Sequence, residues 1–163
     1  MITLHKLLLW FGLTLALACG TASAQTAHST GDDAQIVTVL RSSFDRPEAP
    51  LSVAPVVVVG DHAIAGWVQD KRGGRALMRK VRGAWTIHLC SGDPLKHADM
   101  LTSTGIPADV AKTLADRLAA AERATPATTV ALFSTFEGVV HIGADGQHPP
   151  MHEHPPVHNG HHK

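Results

Sequence analysis

Residues 51–92 constrain the fold most. "LSVAPVVVVGDHAIAGWVQD" and "RALMRKVRGAWTIHLCSG" each hold two runs rich in β-branched residues around a tight polar turn, Gly60-Asp61-His62 in the first and Arg82-Gly83 in the second. Runs of this kind divided by so short a turn read as hairpins. Two hairpins in succession predict four antiparallel strands in sequence, a β-meander. The third strand alternates basic and apolar residues, and the fourth is strongly apolar, carrying Trp85, Ile87 and Leu89.

Helical spacing flanks this block. Upstream, "AQIVTVLRSSFDRPEAPL" repeats Ile36, Val37, Leu40 and Phe44 on one face, Asp32 or Asp33 can cap the first turn, and Pro47 and Pro50 stop the segment. Downstream, Asp93-Pro94 suits a helix start and Gly105 its end, so a short helix is expected between them. Pro107 opens a stronger one, with Val110, Ala111, Leu114, Leu118 and Ala121 on one face. Pro126 lies beyond it, and "TTVALFSTFEGVVHI" reads as a final strand. The chain has 163 residues, one domain's worth. The expected fold is α+β: an N-terminal helix, an antiparallel meander, two helices and a final strand, with the helices on one face of the sheet. A cystatin-like or NTF2-like wrap is left open.

The N-terminus points to export. His5 and Lys6 precede an apolar run from Leu7 to Ala18, and Ala22-Ser23-Ala24 has the small-x-small pattern of a signal-peptidase site. The run falls short of the ~20 apolar residues that a membrane-spanning helix needs. Residues 1–24 are therefore expected to be a signal peptide that delivers the chain to the periplasm, with no membrane span. A rival reading takes Ala16-Leu17-Ala18-Cys19 as a lipoprotein box with Cys19 acylated. Under both readings Cys90 is the one free thiol, and no internal disulfide can form. Lys plus Arg and Asp plus Glu stand at 14 each, so no net field draws the protein to nucleic acid.

After a polar leader, 25–33, and a domain expected over 34–144, residues 145–163 change character. "HPPMHEHPPVHNGHHK" holds six of the chain's 12 histidines, and its prolines and lack of apolar periodicity predict a disordered tail. The Pro-Pro interruptions set it apart from a purification tag. Neutral imidazole is the commonest protein metal ligand. His148, Met151, His152, His154, His158, His161 and His162 thus make a multidentate chelator, and the Met151 thioether leans toward Cu(I). Copper, as Cu(I) or Cu(II), is the favoured ion, although zinc and nickel also suit imidazole.

A second candidate site lies in "TIHLCSGDPLK". In a regular strand His88 and Cys90, two apart, share a face. A helix N-terminus just beyond Cys90 would favour its thiolate, the form that metals bind. The plain alternative is a small buried cysteine beside a solvent-facing histidine. His141 ends the last strand near the root of the tail and could join a site. His62 is expected to be solvated in its turn, His97 exposed on a short helix, and Trp67 and Trp85 in the core. The stretch "DKRGGRALMRKVRG" carries six basic residues, which fits a charged exposed hairpin edge.

The block "PEAPLSVAPVVVVGDHAIAGWVQDKRGGRAL", followed by "WTIHLCSGDPLK", "ALFSTFEGVV" and the histidine-rich end, resembles the exported proteobacterial family of copper uptake system-associated proteins. The resemblance runs from about Arg41 to the C-terminus. It implies a periplasmic accessory of a copper-import component, often a TonB-dependent receptor, but carries no ligand set. The expected function is therefore non-enzymatic copper capture and transfer by ligand exchange. Two alternatives differ in class: a thiol-dependent enzyme with Cys90 as nucleophile and His88 as base, or an adaptor docking on a receptor through the basic hairpin.

Overall fold

The computed structural model describes residues 29–142. The expected signal peptide and the histidine-rich tail lie outside the described residues. Helix α1, Ser29–Phe44, begins within the segment expected to be leader. One reason is Asp32 in its first turn, whose carboxylate accepts from Lys80 Nζ at 2.7 Å and from Trp85 Nε1 at 3.0 Å. That carboxylate anchors the helix to the sheet. Ile36 and Leu40 are fully buried, and each contributes roughly 1.5–3 kcal/mol of burial.

The meander is present. Strands β1 (Ser52–Val59), β2 (His62–Gln69), β3 (Arg72–Val81), β4 (Ala84–Ser91) and β5 (Val139–His141) form one antiparallel sheet in the order β1-β2-β3-β4-β5. Arg82 (φ 51°) and Gly83 (φ 84°) supply the positive φ that a two-residue hairpin turn matched to strand twist requires at both central positions. Pro55, which has no N–H to donate, sits on edge strand β1 where the register shifts between Val53 and Val56.

Both faces of the sheet are covered, whereas the sequence led us to expect helices on one. Ala63, Ala65, Ala76 and Met78 share a core with Ile36 and Leu40 of α1. Ile64, Leu77 and Leu89 share a second core with Leu101 of α2 (Ala98–Ser103) and Leu114 and Leu118 of α3 (Ala108–Arg123). Alternate residues of β2 and β3 thus enter opposite cores. Strands buried on both faces read as continuous apolar runs, and such runs do not say which face a given helix will cover.

Two further expectations are corrected. "TTVALFSTFEGVVHI" is not one strand: its first part is helix α4, Ala127–Phe133, and β5 keeps three residues. Phe133 decides this by tertiary contact, since it is fully buried and its ring lies 5.4 Å from the Arg75 guanidinium. The ring also sits where Gly66 lacks a side chain, a Cβ there lying 2.7 Å from Phe133 Cζ.

The basic stretch is also not an exposed edge, because β3 lies between β2 and β4. Arg75 is fully buried and donates to both oxygens of Glu122, at 2.7 and 3.0 Å, and to Asp93 at 3.3 Å. Arg79 donates to the Thr104 carbonyl, and Lys80 is held by Asp32. Of the six, Lys71, Arg72 and Arg82 are exposed.

Candidate metal centre

Strand β4 shapes the site through an irregularity. Leu77 pairs with Leu89 but Met78 pairs with Ile87, so His88 is an extra residue in the ladder, a β-bulge. A bulge interrupts period-two alternation. Ile87 and Cys90, three apart, lie in the α1-side core, while Leu89 lies in the opposite one. The charged and titratable groups acting on His88 are Arg79, His141 and His62. His62 and Arg79 face each other across β2 and β3, in step with Ile64 and Leu77 of the α3-side core. The structure therefore does not bring His88 and Cys90 together: they belong to opposite sides of the sheet.

His88 is instead brought to His141. Strand β5 pairs with the end of β4, Leu89 opposite His141, and the Ile142 amide donates to the His88 carbonyl at 3.2 Å. The two imidazoles meet edge to face, ring centroids 6.0 Å apart with planes at 83°. One ion can lie between rings so spaced, given a metal–nitrogen bond of ~2.0 Å. His62, expected to be solvated in a turn, is the half-buried first residue of β2.

Electrostatics favour the coordinating form of His88 and His62. Burial holds His88 below the usual imidazole value, and Arg79, His141 and His62 add to the shift. His62 is lowered first by burial and then by Arg79, with Asp61 opposing. Neutral imidazole is the species that binds metal. The same Arg79 repels an arriving cation, and repulsion grows with the ion's charge. A singly charged ion is therefore disfavoured half as much as a doubly charged one.

Cys90 follows the plain alternative, a small buried cysteine. It is 5% exposed, and burial pushes its thiol up to about 12, so the thiolate is scarce near pH 7. The element after β4 is a 3-10 turn, Asp93–Lys96, and apolar burial outweighs any help from its amides. His97 is exposed at the start of α2, away from the His88–His141 pair in the chain's path.

Among the described residues no group of three or more His, Cys, Asp or Glu is arranged to hold a metal ion. The folded part offers a pair. The remaining expected donors, His148, Met151, His152, His154, His158, His161 and His162, lie outside the described residues. His148 follows His141 by seven residues, a reach of up to ~25 Å, so the connection permits a return to the pair.

The sequence put His141 at the end of a final strand and gave that strand no neighbour; its pairing with β4 is what brings His141 to His88. The bulge left no mark in the sequence. Among the described residues no helix is long and apolar enough to cross a membrane. No family model, curated protein or solved structure matches this chain.

Proposed function

We propose that this chain is an exported copper-binding accessory protein of a copper-import system, capturing the ion and passing it on by ligand exchange in the periplasm. The observation that carries the reading is the juxtaposition of His88 and His141 at 6.0 Å between ring centroids, immediately before the chain runs into its histidine-rich end. A two-imidazole pair suits Cu(I), which accepts low coordination, and the Arg79 charge weighs further against a divalent ion. Tail imidazoles and the Met151 thioether supply exchangeable further ligands, so that an ion can leave one donor at a time for a partner such as a TonB-dependent receptor. The sequence resemblance to copper uptake system-associated proteins supports the same reading.

The thiol-enzyme alternative is weakened by a nucleophile that burial keeps protonated. The adaptor alternative is weakened because three of its six basic side chains are engaged within the fold.

Competition for Cu(I) against a calibrated chelator tests the proposal, using the full chain, a chain ending at Gln147, and the His88→Ala and His141→Ala variants. Each alanine variant should bind Cu(I) roughly tenfold or more weakly in the shortened chain, the scale expected when a partner of a metal site is lost. Affinity unchanged in both variants removes the pair, and affinity unchanged by truncation removes the tail. A full chain that never competes removes copper altogether.

A further inference from the structure

His141 reaches His88 on a strand of three residues, so whatever lays β5 on β4 decides whether the two rings meet. The 134–138 segment between α4 and β5 crosses the end of β4 closely: a Cβ on Gly92 would lie 2.5 Å from the Phe136 carbonyl oxygen. Two hydroxyls fasten this segment to the sheet. Thr135 Oγ1 accepts from the Gly73 amide at 3.0 Å, and at the other end Ser91 Oγ donates to the Gly138 carbonyl at 2.7 Å.

Ser91 holds the end nearer to His141. It is fully buried as the last residue of β4, and it pairs with Val139, the first residue of β5. Gly138 has φ 81°, a left-handed conformation that glycine adopts without steric cost, and directly precedes that strand. The hydroxyl thus grips the chain at the turn from which β5 departs. Beyond His141, the Ile142 amide donates to the His88 carbonyl at 3.2 Å. A three-residue strand at the margin of a sheet belongs to the part of a fold that opens most readily, and one net hydrogen bond shifts such an opening about fivefold.

We propose that Ser91 is the positioning residue of the imidazole pair: its bond to Gly138 fixes the start of β5 and so holds the His141 ring against His88. The consequence for an ion rests on the copper reading, whereas the consequence for the two rings does not.

The Ser91→Ala variant of the full chain tests this first without metal. Amides of Val139 to His141 should exchange with deuterium about fivefold faster, and nuclear Overhauser contacts between the two rings should weaken, while amides of β2 and β3 exchange as before. Unchanged β5 exchange overturns the proposal. So does equal quickening throughout the sheet, which marks a general loss of stability. Cu(I), set at fixed free concentrations by a chelator and followed at the His88 ring signals, is the second probe. The variant should half-saturate that ring at a higher Cu(I) concentration than the native chain. Adding Ser91→Ala to His141→Ala should change nothing further, because the ring that Ser91 positions is then gone. Half-saturation unchanged in the single variant, or shifted equally in both backgrounds, overturns the role toward the ion. A native chain whose His88 ring ignores Cu(I) sinks the copper reading of the pair alone, and metal-free exchange with the ring contacts still decides the positioning.

Discussion

At the scale of single residues, His88 and Cys90 show how one local irregularity redistributes chemistry. They are two apart in sequence, yet the bulge sends one to an imidazole pair and the other into an apolar core. For His88, burial and its cationic neighbour lower the pKa on folding, so the unfolded chain takes up the proton first. The contribution of this residue to stability is whole above the unfolded value of ~6.5 and declines as pH falls through it toward the lower folded value. A ¹H–¹³C titration should accordingly place the His88 midpoint below ~6.5, and a midpoint above it would contradict the burial and charge described here. Cys90 makes the converse case: with its thiol at about 12, a disulfide reagent at pH 8 should modify the native chain about a thousandfold more slowly than the unfolded chain, following the thiolate fraction. Substitution Cys90→Ser should leave Cu(I) affinity where it was.

At the scale of elements, the turns and the strands were legible because their signals are local. Gly60-Asp61 and Arg82-Gly83 act within a few residues, and the runs beside them needed no partner to be recognised. What escaped is set by residues far apart in the chain. Arg75 looked like surface because its counter-charge, Glu122, lies 47 positions away; α4 looked like strand because its β-branched threonines outweighed Phe133 until Gly66 and Arg75 gave that ring a place.

Glu122→Gln should destabilise the fold by about 1–3 kcal/mol, since the buried guanidinium loses its paired carboxylate and keeps only an amide oxygen and Asp93, whereas the double change Arg75→Leu with Glu122→Leu should recover most of the loss. Chemical denaturation of the three proteins measures both. Gly66→Ala should destabilise by roughly 1–3 kcal/mol through overpacking against Phe133, and the further change Phe133→Leu, by making room, should relieve part of the clash; a fully neutral Gly66→Ala would show that the ring is free to move.

At the scale of the whole molecule, the sheet separates two environments. The α3 side carries the imidazoles and Arg79 at its margin, and the α1 side carries the apolar core that holds Cys90, with Trp67 packed against it. Among the described residues both cores are built from residues up to Ile142, itself part of the α1-side core, and a chain ending at Gln147 should keep its cooperative melting transition within a few degrees of the full chain. A transition lost on truncation would mean that later residues are needed for the fold.

Strand β5 has only three residues, and one of its side chains faces a ring on β4 that lies far back along the chain. An ion shared by the two rings would act as a removable staple, closing a long loop much as a covalent cross-link does. Loading would then be written into the motion of the strand: amides of Val140 to Ile142 should exchange with deuterium more slowly when copper is present, and quicken again as the cargo is handed on.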